Sequence, residues 1–297
     1  MEWTPDNSNQ DIEDRRDSSG GGGGGSGLGG FGFGHLGIGG ILIVGLLSLV
    51  FHQNFFALLS GGGSASSVDP SQQVQSAPNP QQDQAEARDY GLIETVFHSI
   101  EANWATILPA QTNVPYHNPK LVLYRGLTNS GCGDAQQATG PFYCPEDEKI
   151  YLDLSFFDEL KTRFGGSNGD FAQSYVIAHE FGHHIQKLLG TEAKVTEAQE
   201  RNPSQKNQLS VALELQADCY AGVWGFSAKD KFKLNQADLQ DALSAAAAVG
   251  DDHLQKMATG RVSPESWTHG SSASREQWFT KGFTTGQVSA CNTFGGQ

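Results

Sequence analysis

The chain has 297 residues, a formal net charge of -14 and 37% hydrophobic residues, enough for one sizeable core plus appendages. Its acidic balance argues against nucleic acid or an anionic membrane surface as a partner.

Residues 1–35 are polar and then glycine-rich, with an unbroken run from Gly20 to Gly25, and this composition predicts a disordered tail. Gly32, Gly34 and Gly37 fit G-x-G-x-x-G, but poly-glycine stands where a dinucleotide fingerprint needs a strand, so no nucleotide site is read there. Residues 36–59 open with LGIGGILIVGLLSLVF, which carries no charge. As one helix they cover the roughly 30 Å of a bilayer's hydrocarbon, and a single transmembrane helix is expected. Arg15 and Arg16 precede the run, and no Lys or Arg follows it until Arg88. The positive-inside rule then puts the N-terminus in the cytoplasm and the bulk of the chain in the periplasm or outside the cell. Residues 60–84, rich in Gly, Ser, Gln, Asn and Pro, read as a flexible linker, and a folded domain is expected over residues 85–297.

All four cysteines lie in that domain. An even count on the oxidising side of a membrane favours two disulfides, and spacing alone allows three connectivities. The expected pairs are Cys132 with Cys144, closing a short Gly- and Pro-rich loop, and Cys219 with Cys291, pinning the C-terminus to a helix. No C-x-x-C pair is present to suggest zinc on cysteine.

The domain's pattern mixes helix and strand, with helix ahead. Leu92, Val96, Ile100 and Trp104 recur every four residues and predict a helix over residues 85–106. KLVLYR at 120–125 and KIYLDLS at 149–155 read as strands. Gly165, Gly166 and Gly169 break the chain, and Asp170 is the expected N-cap of the helix that follows.

That helix carries His179, Glu180, Phe181, Gly182 and His183, an H-E-x-x-H motif. Imidazoles at i and i+4 share a helix face, about 5 to 6 Å apart at Cβ, and can reach one tetrahedral zinc ion. Glu180 lies beside that face, where it can touch a water on the ion without ligating the ion, as a general base does. Gly182 costs about 1 kcal/mol against Ala in mid-helix and predicts close approach by another element. His184 points about 100° away from His183 and is not expected to ligate.

A catalytic zinc needs a third protein ligand. No histidine follows His184 until His253, so a carboxylate from a second helix is required. Residues 207–226 have helical period through Leu209, Leu213, Ala217, Tyr220 and Trp224, with Glu214 and Asp218 one turn apart in their middle. Glu214 is assigned as third ligand, and Asp218 as the acceptor of an Nδ1 proton from a ligating histidine. Glu192, Glu197 and Glu200 lie in a polar connection with no apolar face to fix them. Near the C-terminus, His269 and Arg275 are candidate donors to a developing oxyanion.

The segments AHEFGHHIQ, ELQADCYAGVW, GPFYCPEDEKIYLDLSFF and THGSSASREQWF together resemble the bacterial neutral zinc metallopeptidase family, and IEDRRD resembles its N-terminal segment. The likeness is dense over residues 85–297 and loose over the anchor. It implies a gluzincin-type site on His179, Glu180, His183 and Glu214, one Zn2+, a peptide or protein substrate, and a compact, mostly helical α+β zincin-like domain with a small sheet. The order of motifs is also similar to the CaaX-processing zinc peptidases, where Pro follows the last His; here Gly270 follows His269. In such peptidases an edge strand receives the substrate as an added strand, and residues 149–155 are the expected edge. The rival reading is a zinc-dependent or vestigial-site binding protein without hydrolytic activity; a purely structural site needs four ligands and no Glu180.

Overall fold

The computed structural model describes residues 1–6, 10–17, 80–136 and 139–295. Its strands are β1 (Ile12–Asp14), β2 (Lys120–Tyr124), β3 (Leu127–Ser130), β4 (Gly133–Gln136), β5 (Phe142–Cys144) and β6 (Lys149–Asp153). Its α-helices are α1 (Pro80–Thr112), α2 (Phe156–Thr162), α3 (Asp170–Leu188), α4 (Thr191–Arg201), α5 (Lys206–Ala228), α6 (Gln236–Ala248), α7 (Asp251–Thr259) and α8 (Ser272–Thr285). The result is an α+β body, helix-rich around a four-stranded sheet of order β1-β2-β6-β5, with β3 and β4 forming a separate ribbon.

The apolar spacing of α1 has a direct structural counterpart. Leu92, Val96, Ile100 and Trp104 are fully buried, and Phe97 meets Phe181 of α3 edge-on at 5.7 Å. Burial of each such side chain is worth about 1.5–3 kcal/mol. The core is thus built where α1, α3 and α5 meet the sheet, and α3 is enclosed on nearly every side.

Several expectations need correction. The N-terminal residues are ordered where described: β1 runs parallel to β2 in the register Ile12 with Leu121 and Asp14 with Leu123. Composition hid this strand, because three residues paired to a distant partner leave no local signal. The first helix begins at Pro80, five residues before the expected domain boundary. Asp170 is the first helical residue of α3, with Gly169 at the cap, and its carboxylate serves Trp3 and Arg88 instead. β6 is not an edge: it pairs with β2 on one side and β5 on the other, so its backbone groups are used in both directions. β5 is the edge.

The expected span, residues 36–59, lies outside the described residues, as do residues 60–79 of the expected linker. Among the described residues no helix is long and apolar enough to cross a membrane. The two disulfides are Cys132–Cys144 and Cys219–Cys291.

Helix packing is close where glycine allows it. A Cβ on Gly182 would stand 2.9 Å from the carbonyl oxygen of Ala217, so α3 and α5 cross with backbones nearly touching. At a second crossing, a Cβ on Gly282 would meet the carbonyl of Cys219 and one on Gly222 the carbonyl of Phe279, which locks α8 against α5.

Candidate metal centre

The Gly182 crossing sets the site, because it draws the two turns of α3 that carry His179 and His183 against the middle of α5. His179 Nε2 lies 3.2 Å from Glu214 Oε2, and His183 Nε2 lies 3.7 Å from Glu214 Oε1. One donor atom from each of the three residues falls within 4.8 Å of the others. Four donors about 2.0–2.1 Å from a zinc ion stand roughly 3.3 Å apart at the corners of a tetrahedron, so this set fits zinc and leaves one corner to a non-protein ligand.

Each histidine is held from behind. Asp218 Oδ1 faces His179 Nδ1 at 2.8 Å, and Gln186 Oε1 faces His183 Nδ1 at 2.9 Å. With an acceptor at each Nδ1, the protons sit there and both Nε2 atoms are left for a metal. Gln186 is itself fixed, donating from Nε2 to the Leu213 carbonyl at 2.7 Å and to Gln216 Oε1 at 3.2 Å; Gln216 Nε2 donates to the Cys291 carbonyl at 2.9 Å. Sequence reasoning missed Gln186. Its signal is positional: it stands three residues after His183 on the same helix, where an amide can reach the ring.

Asp218, fully buried, accepts from Arg275 Nε at 2.8 Å, from Arg275 Nη2 at 2.9 Å and from the Tyr175 hydroxyl at 2.5 Å. Burial alone would raise its carboxyl, but Arg275 and His179 hold it down at about 2. Arg275 also meets the Tyr175 oxygen and the Val249 carbonyl. Its Nη2 also lies 3.2 Å from His179 Nδ1 and 3.5 Å from His179 Nε2, so most of its contacts are with Asp218, Tyr175 and the His179 ring. The guanidinium anchors Asp218.

His269 is buried and close enough to Glu214 for their charges to interact. Its backbone N–H, with those of Thr268 and Gly270, donates to Asp251 Oδ2, at 2.6 to 2.8 Å. Its Nδ1 lies 3.4 Å from Asp251 Oδ1, an ion-pair distance, and 3.0 Å from the Thr268 hydroxyl. Burial disfavours the imidazolium, yet Asp251 and the Glu214 charge outweigh it and raise the pKa.

Glu180 is buried beside the triad and ligates nothing within it. Burial pushes its carboxyl up to about 7 against the pull of His179, with the Glu214 charge adding to the rise and Arg275 and the backbone N–H of Tyr143 opposing it. Tyr143 is the middle residue of β5, so the sheet edge borders Glu180. Glu214 itself is held well below the usual carboxylate range, burial being overcome by His183 and His179. His184 takes no part: it is buried between the Tyr143 hydroxyl, 3.1 Å away, and the His117 carbonyl, 2.8 Å away. Glu197 is exposed and paired with Arg201 on α4.

A family model described as "Putative neutral zinc metallopeptidase" matches residues 1–294. The uncharacterized protein YpfJ of Escherichia coli K12 is 44% identical over 301 aligned positions, covering 99% of each chain. The uncharacterized protein Rv2575 of Mycobacterium tuberculosis H37Rv is 45% identical over 207 positions, covering 66% of this chain and 68% of its own. No solved structure matches.

Proposed function

Because the chain belongs to the neutral zinc metallopeptidase family, we propose that it hydrolyses peptide bonds at the site formed by His179, His183 and Glu214, with Glu180 as general base. Zinc held by His179, His183 and Glu214 would lower the pKa of a water toward about 7 and polarise the peptide carbonyl. The observation that carries the reading is Glu180, a buried carboxyl beside the three donors that is not one of them. A structural site has no use for it, and a general base works best when its pKa lies near the operating pH.

The remaining residues divide the work. Asp218 and Gln186 hold the Nδ1 protons of the two histidines, and Arg275 with Tyr175 keeps Asp218 charged and in place. Glu180 takes the proton of the attacking water and returns it to the leaving amine. His269, whose Nδ1 faces Asp251 and Thr268, donates to the oxyanion that develops on the carbonyl. The substrate lies extended along β5, whose Tyr143 N–H turns toward Glu180 and away from β6.

Glu180→Gln tests this directly, since it keeps volume and hydrogen-bonding reach but removes the base. It is expected to retain zinc and fold while losing hydrolysis by at least ~10²-fold on a diverse peptide pool. Equal rates from variant and wild type at matched zinc content, or none from either, favour the non-hydrolytic binding protein instead.

A further inference from the structure

The IEDRRD motif contributes nothing to the metal centre, yet the domain engages most of its side chains. Ile12–Asp14 is the outer strand of the sheet. Glu13 accepts from Lys149 Nζ at 2.8 Å, Arg16 is buried between Asp14 and Glu86 at 2.7 and 3.0 Å, and Asp17 pairs with Arg125 at 3.1 Å. Farther back, Trp3 Nε1 donates to Asp170 of α3 at 2.9 Å, and Asp6 meets His98 of α1 at 2.7 Å. The N-terminal residues are thus a working part of the same body as the metal centre.

From this we propose that residues 1–17 and the metal-bearing domain share one side of any membrane the chain attaches to, so that residues 18–79 begin and end on that side. Paired strands are about 4.8 Å apart, whereas a bilayer's hydrocarbon is about 30 Å thick, and no sheet is hydrogen-bonded across it. The argument is the same whether β1 pairs within its own chain or with a second copy. It does not rest on the peptidase reading.

The charge signal that points to a cytoplasmic N-terminus loses its force in this fold. Arg15 is matched by Glu13 at 2.6 Å, and Arg16 by Asp14 and Glu86. The positive-inside rule counts basic residues within about 15–20 positions of a span, and folded domains translocate largely regardless of charge. The two disulfides favour the oxidising side for the domain, and hence for the N-terminus too. A single crossing by residues 36–59 is incompatible with that arrangement.

Two measurements on the full chain in spheroplasts test it. Gln10→Cys and Glu197→Cys place one reporter on each part at exposed positions, and the native cysteines are paired and silent. A membrane-impermeant maleimide is expected to label both reporters to the same extent before lysis. Labelling of Glu197→Cys with Gln10→Cys protected until lysis overturns the proposal. In the second, Glu13→Cys and Val122→Cys are introduced together at facing positions of β1 and β2. Oxidation is expected to join them, so that fragments cut within residues 18–79 stay together without reductant. Fragments that separate after the same oxidation, in a chain that still binds zinc, show that the strand is not paired in the membrane-resident protein.

Discussion

Glu214 stands in the middle of a helix buried over most of its length, and a carboxylate there is tolerable only with partners. Those partners are the two imidazoles of α3, which is why the residue could be picked from sequence: an acid on an apolar helix, downstream of a histidine pair lacking a third donor, asks for an explanation. Glu214→Ala is expected to weaken zinc binding strongly, Gln186→Leu by about 10- to 100-fold through loss of the His183 acceptor, and Glu197→Ala not at all, as read by competition with a chelator. Gln186 was not legible because an amide carries no charge to betray it. The Arg275 contact with Asp218 was not legible either, since its charge names no partner 57 residues away in the chain. The metal-free site also has a definite pH behaviour. Burial works against a charged His179, but Asp218 and Glu214 prevail and raise it to about 10. A raised histidine stabilises the fold fully below its ordinary 6.5, and that contribution is lost as pH rises through 10. Asp218, depressed from 3.8 to about 2, contributes above its ordinary value and loses it as pH falls through 2. Zinc requires neutral imidazoles, so binding at pH 7 must displace the His179 proton. About one proton released per zinc is expected, seen as a heat of binding that changes with the ionisation enthalpy of the buffer; buffer-independent heats would contradict it.

At the scale of elements, the long helices α1, α3 and α5 were legible because each repeats an apolar stripe over many turns. Short strands were not. β1 and β5 have three residues each, and a strand so short is defined by its neighbours. The mistaken edge follows from the same limit: KIYLDLS reads as a strand, but nothing in it tells whether one side or both are paired. The crossings, by contrast, left a trace in glycine. Gly182 marks the α3–α5 contact and Gly282 the α8–α5 contact, the latter bringing Arg275 to Asp218. Gly282→Ala must push α8 off α5, because its Cβ would overlap the Cys219 carbonyl. Overpacking of this kind costs about 1–3 kcal/mol or more. The variant is expected to unfold at lower denaturant and to bind zinc less tightly, the second effect arising because Arg275 travels with the helix; unchanged zinc affinity in a destabilised variant would separate the two.

Taken whole, the molecule is not a domain behind a loose leader. Strand β1 covers the outer edge of β2, Trp3 and Glu13 supply partners to Asp170 and Lys149, and the Met1 amino group pairs with Asp238. A fragment beginning at Ala85 leaves that edge bare and shortens α1. It is expected to be less stable and more prone to aggregate than a chain in which residues 1–17 are joined to residue 80 by a flexible linker in place of 18–79, as measured by thermal melting and light scattering. Equal melting of the two would mean that the N-terminal strand adds no stability.

The Cys219–Cys291 bridge ties the last turn of the chain to α5, and its position matters beyond tethering. The carbonyl of Cys291 is the far end of the amide relay that runs through Gln216 and Gln186 to His183. Reduction would free that turn and remove the acceptor on which Gln216 depends, whereas Cys132–Cys144 ties the turn between β3 and β4 to β5 and, among the described residues, has no hydrogen bond to that relay. The two bridges are therefore unequal: a thiol reductant that opens both would lower metal retention through only one of them. The grip of this centre on its ion is in that sense an oxidation-dependent property, full only where the chain's cysteines stay paired.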